Sequence, residues 1–170
     1  MLRITLPDGS VKEFDQAVSA YDVAESIGPR LAKAAVGCKI DGEMADLSTP
    51  LTTDCELAIV TEKTREGDAD TDALYLLRHS CAHVMAEAIC SIWPETKLVY
   101  GPTVEDGFYY DVDLDEPIRP DDFERIERKM AEIVKAGKPF VRQEMSKTEA
   151  LDKLAGDKYK TDNVGHADSD

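Results

Sequence analysis

The chain has 170 residues, 42% of them hydrophobic, and a formal net charge of −15, which suits one ordinary domain or two small ones and argues against a stand-alone nucleic-acid binder, because phosphate contacts need clustered Lys and Arg. Both parts are acidic, with 5 Lys/Arg against 11 Asp/Glu up to Glu62 and 15 against 24 beyond it, so any nucleic-acid role requires a basic neighbour. No apolar run reaches signal-peptide or bilayer-spanning length, and Cys38, Cys55, Cys81 and Cys90 form no CxxC pair, which argues against a zinc finger and predicts free thiols in a cytosolic protein.

Residues 1 to about 61 read as short strands around one helix. "LRITL" alternates, "PDGS" is a turn and "VKEF" resumes, a hairpin signal. In "SAYDVAESIG", Ser19 caps a helix with Val23, Ala24 and Ile27 as its apolar stripe, and Gly28-Pro29 stops it. "AAVGCKI" is a strand, Asp41-Gly42 a turn, "EMADLS" a weaker strand and "ELAIVT" a closing one. The order ββαβββ suits a β-grasp module. The charged "EKTREGDADTD" reads as a linker. A helix is predicted from about Ala73 to Trp93, stopped by Pro94. "KLVYGP" and "GFYYDVDL" read as strands. Asp121 or Asp122 then caps an amphipathic helix with Phe123, Ile126, Met130, Ile133 and Val134 on its apolar side, ended by Gly137. "PFVRQEMS" reads as a strand and "SKTEALDKLAG" as a short helix with a Ser146–Glu149 capping box. The polar "DKYKTDNVGHADSD" after Gly156 has no period.

The long helix carries the chemistry. On a wheel of about 100° per residue, Leu74, Leu77, Cys81, Val84, Met85, Ala88 and Ile92 form a core stripe, and His79 and His83 fall opposite. The histidines share their side with Ala86 and Cys90, with Trp93 at its edge, which resembles a pocket floor or a second buried surface more than a charged, wet face. At i and i+4 two imidazoles lie about 5–6 Å apart at Cβ. They can share a metal, or contact one small substrate and move its protons. The helix supplies no third metal ligand beyond Cys90, nearly two turns from His83.

The run "RHSCAHVMAEAI", then "IWPETKLVYGP", then "DGFYYDVD" resembles the N-terminal editing domain of bacterial-type threonyl-tRNA synthetases, and the segment before it resembles their TGS domain. The resemblance covers roughly residues 1–160 in order. It implies an α+β chain: a ubiquitin-like β-grasp TGS domain at 1–62, a linker at 63–72, and part of a threonyl/alanyl-tRNA synthetase editing-type α+β domain at 73–170. It further implies hydrolytic removal of serine from threonine tRNA. One methyl supports only about 10–200-fold discrimination by binding, so a second sieve is needed. By the resemblance, His79 and His83 position the water and the seryl ester and transfer protons. Gly101 lets backbone approach substrate, and Tyr110 contacts the terminal adenosine. Lys160, in "KYK", serves the same pocket. Tyr109 and Tyr110 are expected on opposite faces of a strand, Cys81 in the core, Cys90 against the pocket, and His166 in solvent.

The family's editing domain also uses a Cys and a His in a CxGPH-like motif, which this sequence lacks, along with the aminoacylation core and the anticodon-binding domain. The expectation is therefore a fragment, inactive alone, whose parent enzyme is a threonine-tRNA ligase. The parent partners are threonine tRNA and a second copy, joined through the catalytic domain; no membrane is involved. No cofactor or metal is expected in this chain, ATP, magnesium and zinc serving the absent core. Two readings compete with hydrolysis. One is a free-standing, non-catalytic TGS-containing binding module. The other is a small zinc hydrolase built on His79 and His83.

Overall fold

A computed structural model describes residues 1–63, 67, 70–139, 141 and 143–166. The chain divides into two compact units, Met1–Leu77 and Arg78–Asp170, with the boundary inside one long helix.

In the first unit, strand β1 (Leu2–Thr5) pairs antiparallel with β2 (Val11–Phe14). Their turn closes through the Gly9 amide on the Leu6 carbonyl and the Ser10 amide on the Asp8 carboxylate. Gly9 sits at φ 81°, a conformation that suits a residue without Cβ. Helix α1 (Ala20–Ile27) starts at a reciprocal capping box: Ser19 Oγ accepts the Asp22 amide, and Asp22 accepts the Ser19 amide. It stops at Gly28, and Pro29 opens a second short helix, α2 (Pro29–Ala34), that the sequence pattern did not separate. Two short strands, β3 (Val18–Ser19) and β6 (Pro50–Leu51), pair with each other and were likewise not anticipated. Strand β4 (Ala35–Ile40) turns through Asp41 and Gly42, both at positive φ, into β5 (Glu43–Ala45). The final strand β7 (Cys55–Thr61) runs antiparallel to β4 and parallel to β1. The sheet order β2-β1-β7-β4-β5, first and last strands parallel at its centre, is the β-grasp arrangement the sequence predicts.

Its core is Leu2, Ile4, Ala20, Val23, Cys38, Leu51 and Leu57. Burial, aided by the nearby Asp46 and Cys55, pushes the Cys38 thiol up to about 11. Ile27, expected on the apolar stripe of α1, is instead exposed, because the helix ends there and the core lies beneath Val23 and Ala24.

Helix α3 (Thr71–Ile92) begins two residues before its predicted start, because the Asp70 carboxylate accepts the Asp72 and Ala73 amides. Lys39 Nζ lies 2.6 Å from the Asp72 carboxylate, and the Leu76 side chain fills the space a Cβ on Gly37 would take. Within the expected linker, Thr64–Glu66, Asp68 and Ala69 lie outside the described residues.

In the second unit, α3 is followed by β8 (Lys97–Tyr100), β9 (Thr103–Val104), β10 (Gly107–Phe108) and β11 (Asp111–Asp113). "GFYYDVDL" is therefore not one strand. Its first part pairs with β9 and its last part with β8, so Tyr109-Tyr110 crosses between two ladders. A 3-10 turn at Pro120–Asp122 leads into α4 (Phe123–Ala136), which Gly137 ends at φ 59°. Asp122 stands at the cap position, but its carboxylate accepts the Arg119 amide and not a helix amide. Ile126, Met130 and Ile133 pack with Ala88, Ile89 and Trp93, while Phe123 and Val134 are exposed. The predicted "PFVRQEMS" strand is absent at Val141 and Gln143–Met145, and Phe140 and Arg142 lie outside the described residues. Helix α5 (Lys147–Lys153) carries the expected Ser146–Glu149 box. The supposedly aperiodic tail forms α6 (Lys158–Gly165), because the Asp157 carboxylate accepts the Tyr159 and Lys160 amides. Among the described residues no helix is long and apolar enough to cross a membrane.

Candidate functional site

The buried side of α3 coincides only in part with the predicted stripe, of which Met85, Ala88 and Ile92 join the core with Ile89. Leu77 is exposed and Cys81, Val84 and Met85 only half-buried, whereas Ala82, Ala86, Ala88 and Ile89 are covered. Large residues dominate a hydrophobic wheel, but small ones permit the closest approach, and α3 packs through its alanines. The covered arc is therefore rotated toward the histidines. His79 and His83 border the buried side and do not oppose it. Both are exposed, so they form a rim, not an enclosed floor, and Trp93 belongs to the α4 core, with the Arg125 guanidinium 5.7 Å from its ring centre.

His83 Nε2 lies 3.1 Å from His79 Nε2, with the ring centres 4.7 Å apart and the planes crossed at 88°. One nitrogen must carry the hydrogen and the other accept it. Protonating both would set two N–H groups against each other, so the pair holds a neutral imidazole. Burial, and secondarily the neighbouring His79, holds the His83 imidazole below its ordinary value of 6.5.

Further along the same helix side, Cys90 is half-buried. Burial raises its thiol, while the Lys160 ammonium and the Asp157 carboxylate act on it in opposite senses. The Tyr110 hydroxyl is raised mainly by burial and secondarily by Cys90. The Tyr110 ring lies against Gly101, where an added Cβ would run into three of its ring carbons. Tyr109 is exposed and Tyr110 half-buried. Lys160 is exposed and pairs with Asp157 at 3.5 Å. The structure thus brings Gly101 onto Tyr110 directly, and draws Tyr110 and Lys160 toward Cys90. His166, expected in solvent, is exposed, its Nδ1 2.8 Å from the Asp162 carbonyl oxygen and apart from these residues.

Three further residues of this neighbourhood escape a motif reading. Asp113 accepts the Tyr159 hydroxyl at 2.9 Å, and Arg78 donates to the Glu105 carbonyl at 2.6 Å, holding the β9–β10 hairpin to α3. The alternating "DVD" and the "KYK" run were the only available signals, and neither is distinctive. Among the described residues no group of three His, Cys, Asp or Glu side chains converges as a metal centre requires.

Comparison with known proteins adds what geometry alone does not give. Residues 2–61 match the TGS domain family. Nearly the whole chain is similar to proteins named threonine–tRNA ligase: 48% identical over 162 residues to that of Desulfatibacillum aliphaticivorans, covering 95% of this chain and 24% of the relative. It is 46% identical over 172 residues to that of Paramagnetospirillum magneticum, covering 100% and 26%, and 45% identical over 162 residues to that of Symbiobacterium thermophilum, covering 94% and 24%. The chain spans about a quarter of the length of these relatives. Residues 2–61 are accordingly a TGS domain, and the chain over nearly its full length is similar to one quarter of a threonine–tRNA ligase.

Proposed function

We propose that this chain serves within a threonine–tRNA ligase, where the His79/His83 face contributes to hydrolysis of serine misattached to threonine tRNA and the chain contributes to tRNA contact. The observation that carries the reading is the 3.1 Å imidazole pair. Ester hydrolysis needs a positioned water, a proton acceptor, and a donor for the leaving ribose oxygen. Two imidazoles sharing one proton supply an acceptor that is neutral at physiological pH, since His83 is held below 6.5. The proton that the imidazole takes from the attacking water is then the one it gives to the leaving ribose oxygen. Tyr110, seated on Gly101, offers a ring for stacking on the terminal base and a hydroxyl for its ribose. Lys160 supplies positive charge to an otherwise acidic chain where the tRNA end approaches.

Both histidines are open to water, and orientation carries much of such a rate. The face therefore needs cover from further chain, and the 170 residues alone are expected to deacylate poorly. The test is single-turnover deacylation of Ser-tRNA(Thr) by a threonine–tRNA ligase carrying this segment. His79→Ala and His83→Ala should each lose about 10²–10⁴-fold while threonine transfer stays unchanged.

A second reading is favoured by the TGS match itself: a non-catalytic binding module. It predicts deacylation indifferent to both histidines, and tRNA affinity that disappears when residues 2–61 are removed.

A further inference from the structure

Helix α6 has eight residues, none buried. A helix so short is marginal by itself, and little apolar packing fixes it, so its place depends on polar ties. At its far end the Lys147 ammonium reaches the Gly165 carbonyl at 3.0 Å. At its near end, beside Lys160, the tie is Asp113. One oxygen of that carboxylate accepts the Tyr159 hydroxyl at 2.9 Å and lies 3.6 Å from Lys158 Nζ, which itself stands 4.5 Å from the centre of the Tyr159 ring. Asp113 belongs to β11, whose first residue, Asp111, pairs with Tyr100. Gly101 follows Tyr100 and Tyr110 precedes Asp111. One short ladder therefore carries the Gly101–Tyr110 contact at one end and the anchor of α6 at the other.

We propose that Asp113 is a positioning residue: by holding Tyr159 and Lys158 it docks α6 on the β8–β11 ladder and so sets Lys160 near Cys90. The docking is read from these contacts alone; its consequence for hydrolysis rests on the function proposed above. A hydroxyl-to-carboxylate bond is charge-assisted and directional, whereas the exposed Lys158 pair contributes little. The bond to Tyr159 is thus the main tie. Asparagine at 113 keeps the size and loses the charge, and phenylalanine at 159 keeps the ring and loses the donor.

The experiment uses Cys90 as a reporter. The full chain and its Asp113→Asn, Tyr159→Phe and double variants are treated with a small maleimide, and each cysteine peptide is followed by mass spectrometry. Cys90 should react about tenfold faster in either single variant, the scale of one charge-assisted bond, and no faster in the double. Half-buried Cys81, on the same helix of the second unit, should keep its rate, which separates undocking of α6 from general loosening of that unit. In the ligase context, Asp113→Asn should lower the deacylation rate, and should lower it no further when added to Lys160→Ala. An unchanged Cys90 rate in Asp113→Asn overturns the proposal. So does equal acceleration of Cys81, or an additive loss on top of Lys160→Ala. If His83→Ala leaves deacylation intact, the hydrolytic reading fails while the thiol result still decides the docking.

Discussion

The two units bury different kinds of side chain. The first closes a five-stranded sheet over Ile4, Val23, Cys38 and Leu57, all essentially sealed from water. The second buries chiefly alanines of α3, with Ile89 and Ile126 as the larger members. Elsewhere it is held by polar ties: Arg78 to the Glu105 carbonyl, Asp113 to Tyr159, Lys147 to the Gly165 carbonyl, and Lys138 to Glu87. Apolar burial contributes about 25 cal/mol per Å², whereas an exposed ion pair contributes about 0–1 kcal/mol. The first unit is therefore specified by its core and the second by its surface. Groups that must meet a substrate are drawn from the less tightly packed part of a molecule, and the histidines are in that part.

The comparison can be broken by stability measurements. Leu57→Ala should cost about 2–5 kcal/mol, the range for emptying a sealed aliphatic site, read as a lowered denaturation midpoint of the first unit. Ile126→Ala should fall near the bottom of that range, because its surroundings are open enough to relax. Equal costs would remove the distinction. Gly101→Ala comes next. Its methyl would meet the rigid Tyr110 ring, not the end of a flexible chain, and overpacking of this kind costs about 1–3 kcal/mol. A displaced Tyr110 should also weaken Ser-tRNA(Thr) deacylation, whereas a purely local cost would leave the rate alone. Ser19→Ala is the smallest. It removes one side of the α1 capping box and should cost about 1 kcal/mol, seen only in the first unit's unfolding transition.

The same contrast governs how much the sequence disclosed. The β-grasp unit was legible because alternation, the "PDGS" and "DG" turns and the Ser19 cap all point one way, and the hairpin strands β1 and β2 follow the alternation. Only the small additions escaped: β3, β6 and the separation of α2 at Gly28-Pro29. In the second unit the pattern was weaker. Hydropathy placed the core of α3 on a stripe of which Met85, Ala88 and Ile92 do pack inward, but close packing added Ala82 and Ala86 and left Leu77 exposed. The stretch "GFYYDVDL" alternates like one strand, yet its two parts serve different partners. Helix α6 has almost no apolar periodicity, so its cap at Asp157 and its anchor at Asp113 were invisible before the fold brought them together. The histidine spacing was visible at once. What it could not disclose was that the rings meet edge to face and share a hydrogen.

That sharing is the central claim, and imidazole titration tests it most directly. Nitrogen-15 spectra of the histidine-labelled chain contain only three imidazoles, and His166→Gln removes the one in the tail. His83 should titrate below 6.5. The linked stability follows the same sign. A folded-state value below the unfolded one favours the neutral form, so the contribution is full above about 6.5, declines as pH falls through that value, and levels off below the folded value. A His83 that titrates at its ordinary value would contradict the account.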